Sequence, residues 1–132
     1  MLKKITNALI SVSDKSNLEK VLSVLKKYNV NLISSGGTFK EIKKLGFSCT
    51  EVSKYTKFNE MLDGRVKTLH PKIHAGILNN RSNKKHQIQM KKNKFKNIDL
   101  LVVNFYPFQK TVLSNKNSNS IIENIDIGGP AM

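Results

Sequence analysis

The sequence predicts an α/β fold built on a doubly wound, mostly parallel sheet. Short apolar runs alternate along the chain with segments whose apolar residues recur at helical spacing. Polar turns rich in serine and glycine separate the two kinds of segment. The 132 residues are enough for one domain with a buried core and too few for two.

Four segments are predicted as strands. Three are short apolar runs, at Ala8–Val12, Val30–Ile33 and Phe47–Val52. The fourth, Asp99–Asn104, is almost continuously apolar, which is typical of a central parallel strand buried on both faces. Strands that alternate with helices at this spacing indicate βαβ units.

Helices are predicted between the strands. In Lys15–Tyr28 the apolar residues recur every three or four positions, and Ser13 or Asp14 would serve as the N-cap. A second helix face runs along Phe39–Leu45 and ends at Gly46.

The remaining segments are less regular. We expect one helical turn at Phe58–Leu62 and a basic surface helix at Ser82–Lys96. Towards the C-terminus we expect a loop at Ser114–Ser120 and a short apolar segment at Ile121–Ile125.

Composition narrows the possible functions. No apolar stretch approaches the ~20 residues of a membrane helix, and no secretory signal is recognisable. The single cysteine, Cys49, cannot form an internal disulfide, which fits a cytoplasmic location. The formal net charge is +14, but only Arg65 and Arg81 are arginines among the 23 cations, which disfavours base recognition by guanidinium groups. We interpret most of the charge as solvated surface.

Ligands of parallel sheets bind at the carboxyl ends of the strands, and this rule selects three segments. Ser34–Thr38 contains two glycines that let backbone N–H groups approach an anion, although an ordinary capped turn explains it equally well. In Ser11–Lys15, the side chains of Ser13 and Lys15 could reach the same anion, or could simply be a cap and a solvated lysine. Asn104–Phe108 offers an amide and aromatic rings to a planar ligand, or covers the core.

The segment Asp63–Pro71 is the densest in polar groups. Arg65 and Lys67 alternate, so an extended backbone would point both to one side, where they suit a phosphate or an oxyanion. His70 and His74 are four residues apart, but Pro71 disfavours a regular helix through His70, and we expect no metal site.

The segment Asp126–Pro130 places a carboxylate before a Gly-Gly turn. Free N–H groups there could stabilise an oxyanion while Asp126 moves a proton. A plain capped turn is the alternative.

Five motifs occur together in a specific order and spacing. They are Ser11-Val12-Ser13-Asp14-Lys15, Ser35-Gly36-Gly37-Thr38, the segment from Glu60 to His74, Asn104-Phe105-Tyr106-Pro107-Phe108 and Asp126-Ile127-Gly128-Gly129-Pro130. In these motifs the chain strongly resembles the N-terminal IMP cyclohydrolase domain of bifunctional purine biosynthesis proteins (AICAR transformylase/IMP cyclohydrolase). The resemblance implies a methylglyoxal-synthase-like fold over residues 1–132. It also implies closure of 5-formamidoimidazole-4-carboxamide ribotide to IMP with loss of water, the last step of de novo purine biosynthesis.

The resemblance implies a role for each matched residue. Lys67, Tyr106 and Asp126 would take part in catalysis, with Tyr106 touching the base and Asp126 assisting proton transfer. The 5′-phosphate would be held by Ser13, Lys15, Ser35, Gly36, Gly37 and Thr38. Arg65 and Thr68 would line the reacting end and Asn104 would contact the base, while Asp14, Val66, Ile127 and Gly128 are further substrate-binding residues.

The resemblance also sets expectations for cofactors and partners. Cyclisation needs no cofactor or metal, and 10-formyltetrahydrofolate would serve only the transformylase domain, which this sequence lacks. The ligand would be a purine ribotide, with no nucleic acid and no membrane as partner, and the full-length protein would be a homodimer.

The sequence departs from the family at its C-terminal end. The family continues into a helix with an Arg-Ala-Ala-Ala-Lys-Asn segment, whose lysine acts in proton transfer, and then into the last strand and helix of the domain. We therefore expect the domain to be C-terminally incomplete and weak or inactive in cyclisation on its own. We also expect poor packing after Ser118.

Two other functions remain open. The chain could be another methylglyoxal-synthase-like enzyme or a regulatory phosphate-binding domain, although the Arg65–His74 motif and Tyr106-Pro107-Phe108 favour the cyclohydrolase. A basic nucleic-acid-binding protein is disfavoured by the scarcity of arginine and the lack of a recognisable RNA module.

Overall fold

The computed structural model describes residues 3–114 and 117–132, which form four strands and eight helices. The strands are β1 (Asn7–Ser11), β2 (Asn31–Ser34), β3 (Thr50–Glu51) and β4 (Leu100–Val103). The helices are α1 (Leu18–Lys27), α2 (Gly36–Lys44), α3 (Val52–Thr56), α4 (Pro71–Leu78), α5 (Lys84–Lys92), α6 (Phe108–Ser114), α7 (Ser118–Glu123) and α8 (Gly128–Ala131).

The four strands form one parallel sheet in the order β3-β2-β1-β4. Ala8 of β1 lies opposite Leu32 of β2 on one side and Leu100 of β4 on the other. The predicted α/β class with a parallel sheet is therefore confirmed.

Helices pack on both faces of the sheet. Successive residues of a strand point to opposite faces, and β1 follows this rule. Ala8 and Ile10 belong to a core shared with Ile42 of α2, whereas Leu9 belongs to a second core with Ile73 of α4. Two separate cores are what a doubly wound sheet requires.

The third strand is shorter than the sequence predicts. Of the predicted strand Phe47–Val52, only Thr50 and Glu51 pair with β2, and Val52 begins α3. Phe47 packs against the first core without joining the sheet. Its apolar side chain therefore indicates burial rather than strand pairing.

Strand β4 lies at the edge of the described sheet, not at its centre as the sequence predicts. Its only strand neighbour among the described residues is β1, and all four of its residues are half-buried. An apolar run indicates that a strand can be buried, but it carries no information about which strands lie beside it.

The start of α1 also differs from the prediction. The helix begins at Leu18 with Asn17 as its N-cap, so neither Ser13 nor Asp14 caps it. Both residues lie instead in the loop between β1 and α1.

Two short helices replace much of the predicted C-terminal loop. Ser114 ends α6 and Ser118 begins α7, while residues 115–116 of the predicted loop Ser114–Ser120 lie outside the described residues. From residue 118 onwards only Gly129 is buried. Within the described part of the chain, no helix is both long and apolar enough to cross a membrane.

A polar network ties together the end of the sheet opposite the strand carboxyl ends. One carboxylate oxygen of Asp99 accepts hydrogen bonds from the Thr6 hydroxyl, at 2.6 Å, and from the N–H groups of Thr6 and Asn7. The other pairs with Arg81 at 2.9 Å. Burial alone would raise the pKa of Asp99, but these hydrogen bonds and the Arg81 charge together hold it below its ordinary value.

Candidate functional site

The carboxyl ends of β1, β2 and β4 open into one cavity of about 730 Å³. This volume lies within the range of small-molecule sites, and the location is the one expected for ligands of parallel sheets. Most of the predicted site residues line this cavity: Ser13, Lys15, Ser35, Gly37, Thr38, Arg65, Lys67, Thr68, Asn104, Tyr106, Asp126, Ile127 and Gly128.

One wall of the cavity is the N-terminus of α2. Ser35 is the N-cap in an extended conformation, and the helix begins at Gly36, inside the segment predicted as a turn. The first N–H groups of a helix have no intrahelical acceptor. Among the described residues none accepts a hydrogen bond from the N–H groups of Gly36, Gly37 or Thr38. This wall therefore presents the free N–H groups of Gly37 and Thr38, which line the cavity, and the positive end of the helix dipole.

Two lysines approach this wall from different segments. A Cβ built on Gly36 would lie 2.8 Å from Nζ of Lys67, and one built on Gly37 would lie 3.9 Å from Nζ of Lys15. Gly36 also has φ of +54°, which favours glycine. The cationic segment before His70 thus meets the glycine turn in one cleft.

A strained hairpin carries Arg65 and Lys67 to the site. Met61 and Val66 form an antiparallel bridge, which replaces the helical turn predicted at Phe58–Leu62. Leu62, Asp63 and Gly64 have successive φ values of +52°, +54° and +84°. Two non-glycine residues in the left-handed region cost of order 1 kcal/mol each and occur mainly where function or packing maintains them. Apolar periodicity cannot reveal such a turn.

The hydroxyl groups of Ser34 in β2 and Thr38 in α2 form hydrogen bonds within the protein. Ser34, the last residue of β2, donates to the carbonyl of Ile10 at 2.7 Å. The Thr38 hydroxyl donates to the carbonyl of Val12 and accepts from the N–H of Val12. Because its only proton is already donated, the Thr38 hydroxyl has none to give a phosphate in this conformation. Its N–H has no acceptor among the described residues and remains available at the cavity wall.

The loop after β1 is fixed by its own contacts and by Asn104. The carboxylate of Asp14 accepts from the N–H of Ser16 at 2.9 Å. Hydrogen bonds from the Ser16 backbone and hydroxyl lower the pKa of Asp14 below its ordinary value, and the charge of Lys15 adds to this effect. Oδ1 of Asn104 accepts from the N–H groups of Ser13 and Asp14, which are contacts that the expected base-binding role does not describe.

The C-terminal segment forms another wall of the cavity, lined by residues 122–123 and 125–129. Oδ1 of Asp126 accepts from the N–H of Gly129 at 2.9 Å, which is the capped turn that the sequence left as an alternative. A Cβ built on Gly128 would lie 2.8 Å from the hydroxyl of Thr68, so this segment is in close contact with the buried Thr68. Asp126 therefore sits in the cavity with one oxygen engaged.

Three predicted residues do not line the cavity directly: Asp14, Gly36 and Val66. Val66 acts through its backbone, which bonds to Met61, and Gly36 through the space that it leaves for Lys67. Tyr106 reaches the rim of the cavity and is 48% exposed.

Nine lining residues were not among the predicted site residues: Ser11, Val12, Leu62, Asp63, Gly64, Ile122, Glu123, Ile125 and Gly129. Ile122 and Ile125 are three residues apart, and that spacing was the only signal available for this pair. The position of Leu62 depends on the left-handed hairpin and has no sequence signal of its own.

The side chain of His70 caps the helix that follows it. Nδ1 of His70 accepts from the N–H of Lys72 at 3.0 Å and so caps α4, which begins at Pro71. Across residues 3–114 and 117–132, no three His, Cys, Asp or Glu side chains are grouped as a metal-ion site would need.

The fold and the cavity define an α/β domain with a cavity at the carboxyl edge of a parallel sheet. The chain belongs to the family of MGS-like domains, whose family model matches residues 17–131.

Individual members of this family are similar to the chain over nearly all of its residues. The chain is 52% identical over 130 residues to the bifunctional purine biosynthesis protein PurH of Bradyrhizobium diazoefficiens, covering 98% of this chain and 24% of that protein. It is also 52% identical over 126 residues to PurH of Oceanobacillus iheyensis, covering 95% of this chain and 25% of that protein. The chain thus spans about a quarter of the length of the curated relatives that it matches.

A solved structure shares the fold. The crystal structure of ForH superposes with a TM-score of 0.81 at 26% identity, covering 97% of this chain and 65% of the ForH chain. The likeness extends over nearly all of the residues described above.

Proposed function

We propose that this chain binds a purine-precursor ribotide and belongs to a bifunctional purine biosynthesis protein that closes 5-formamidoimidazole-4-carboxamide ribotide to IMP. The observation that carries the proposal is the meeting of Lys67 with the N-terminus of α2 across a single cavity. The sequence likeness to PurH proteins supports the choice of this reaction within the family.

The wall at the N-terminus of α2 suits a phosphate group. A phosphate needs several donors and positive charge, and a helix N-terminus supplies both. The free N–H groups of Gly37 and Thr38 are the donors, and Lys15 adds a charge at the same wall. We assign the 5′-phosphate of the ribotide to this place.

The ring closure requires one new bond and the loss of water. The carboxamide nitrogen attacks the formyl carbon, and the formyl oxygen becomes an oxyanion that takes a proton released by the attacking nitrogen. The resulting hydroxyl group then leaves as water with the proton of the formamido nitrogen. A fixed cation near the formyl oxygen lowers the barrier to the first step, and holding the two groups face to face lowers it further.

The chain supplies groups for both parts of this chemistry. Lys67 lines the cavity beside the α2 wall and is the cation that we assign to the oxyanion. Asp126 lines the same cavity from the C-terminal segment and is the group that we assign to proton transfer. Tyr106 stands at the rim, where its ring would cover the base.

The test is a titration of the purified chain with IMP and with the formamido ribotide, followed by a spectrophotometric cyclisation assay. We expect saturable binding of both ligands and weak or no turnover by this chain alone. Lys67→Met should weaken ribotide binding about tenfold or more, because a charge-assisted contact contributes about 1.5–3 kcal/mol. Lys20→Met, on the exposed surface of α1, is the matched control and should bind like the wild type.

The other functions that the sequence leaves open predict different outcomes of these experiments. Full turnover by this chain would contradict its expected weakness in cyclisation. Binding of phosphate esters without preference for the ribotide would favour another phosphate-binding member of the family. Tight RNA binding that falls steeply between about 50 and 200 mM salt, with no ribotide binding, would favour the nucleic-acid function.

A further inference from the structure

The side chain of Asn104 is occupied by the loop between β1 and α1. Its Oδ1 accepts from the N–H of Ser13 at 2.6 Å and from the N–H of Asp14 at 3.1 Å. Its Nδ2 donates to the carbonyl of Asp14 at 3.0 Å. Because a side-chain amide has two acceptor sites and two donor hydrogens, only one donor hydrogen remains for a ligand.

The backbone of Asn104 places this amide beside the loop. Its N–H donates to the carbonyl of Ser11 at 3.3 Å and continues the β1–β4 pairing by one residue beyond Val103. The sheet register therefore determines where the amide stands. Among the described residues, Asn104 provides the only side-chain hydrogen bonds that tie residues 13–17 to a segment distant in sequence.

The contacts continue from this loop to the α2 wall. Nζ of Lys15 donates to the carbonyl of Ser13 at 3.1 Å, and a Cβ on Gly37 would lie 3.9 Å from the same nitrogen. The orientation of the Ser13 peptide thus sets the direction of its carbonyl, and that carbonyl holds the ammonium group of Lys15 close to the free N–H groups of α2.

We propose that Asn104 is a positioning residue for the phosphate end of the cavity. It holds the Ser13–Asp14 backbone, and through the Ser13 carbonyl it keeps Lys15 at the N-terminus of α2. This role rests on the proposed function, since it concerns the same ribotide site, and it differs from the contact with the base that the resemblance implies.

The test compares two ligands that share a phosphate and differ in the base. The wild type, Asn104→Ala and Asn93→Ala are titrated calorimetrically with IMP and with ribose 5-phosphate. Asn93 is an exposed asparagine whose amide bonds only within α5, so its variant controls for the loss of an amide outside the cavity. A positioning role predicts that Asn104→Ala weakens both ligands by the same factor, about tenfold, and that Asn93→Ala leaves both within twofold.

Two results would overturn the role of Asn104. One is unchanged affinity of Asn104→Ala for ribose 5-phosphate with weaker IMP binding, which would show a contact with the base alone. The other is unchanged affinity for both ligands. Failure of the wild type to bind IMP would instead contradict the proposed function itself.

A second measurement needs no ligand. Amide hydrogen exchange at Ser13 and Asp14 should accelerate about tenfold in Asn104→Ala, while the amides of β1 and β2 keep their wild-type rates. The unchanged strand amides would show that the variant is folded. Wild-type exchange at Ser13 and Asp14 would refute the proposal whatever the calorimetry shows.

Discussion

Nζ of Lys67 lies 2.8 Å from the point that a Cβ on Gly36 would occupy. The same nitrogen lies 3.5 Å from the corresponding point on Gly64. Both glycines have positive φ, so each is required by its backbone conformation and also by the space that the lysine takes. The position of the cation in the cavity therefore depends on two glycines that are 28 residues apart in the sequence.

Replacement of Gly36 by alanine should displace the ammonium group of Lys67. We expect Gly36→Ala to lose about 1–2 kcal/mol of folding stability from the left-handed backbone, and to weaken IMP binding about tenfold or more. The stability is measured by urea unfolding and the affinity by calorimetry.

Gly46→Ala is the matched control for this change. Gly46 has φ of +80° in the turn after α2, and a Cβ there would meet nothing within 4 Å. This variant should lose similar stability and keep its affinity for IMP. Equal affinity losses in both variants would show that backbone strain, rather than the displaced lysine, explains the effect.

The hydrogen bonds and the ion pair of Asp99 should make the free energy of unfolding depend on pH. The pKa of Asp99 is lower in the folded protein than the ordinary value of about 3.9, so the unfolded chain binds its proton more readily. Its contribution is therefore fully present above about pH 5, and it is lost as the pH falls through the ordinary value towards the lowered one. Urea unfolding at about pH 7, 5 and 3 measures this loss.

Asp99→Asn should remove part of that pH dependence. The side chain of Asp99 is only 6% exposed and is paired with Arg81, so loss of its charge should cost about 2–4 kcal/mol at neutral pH. Glu19→Gln, on the exposed surface of α1, should change the stability by less than about 0.5 kcal/mol. If Asp99→Asn shows the same stability-versus-pH curve as the wild type, the network does not contribute as described.

The C-terminal segment should exchange its amide hydrogens rapidly. From residue 118 onwards only Gly129 is buried, so little apolar packing opposes local opening. We expect protection there to be about a hundredfold lower than in β1, and to rise when IMP fills the cavity that this segment lines. Protection equal to that of β1 without ligand would contradict this expectation.

The sequence contains most of the information needed for the sheet. The apolar runs around Leu9, Ile33 and Leu101 all belong to strands. Short apolar runs bounded by polar turns are typical of buried strands, because they are too short for most helices. The place of β4 at the edge was not predictable, since strand order depends on contacts between distant segments. The prediction that the third strand begins at Phe47 was wrong for a related reason. A residue that is buried without strand pairing and a residue that is paired in a sheet give the same apolar pattern.

The sequence predicted which segments contribute to the site better than it predicted how these segments are arranged in space. The strand-end rule and the family motifs indicated the segments around Lys15, Gly36 and Lys67, and these segments meet in one cavity. The left-handed turn at Leu62 was not predictable, because leucine has no preference for positive φ. The engagement of Asn104 with the Ser13–Asp14 loop depends on the β1–β4 register, which no local pattern encodes.

Calorimetric titration with IMP and with inosine, at equal salt and pH, tests most directly whether the cavity between α2 and the Lys67 hairpin holds a ribotide by its phosphate. The free N–H groups of α2 and the ammonium group of Lys15 make the phosphate the main source of affinity, so IMP should bind at least about tenfold more tightly than inosine. Equal affinity for the two ligands, or no binding of IMP at any concentration reached, would contradict this account of the site.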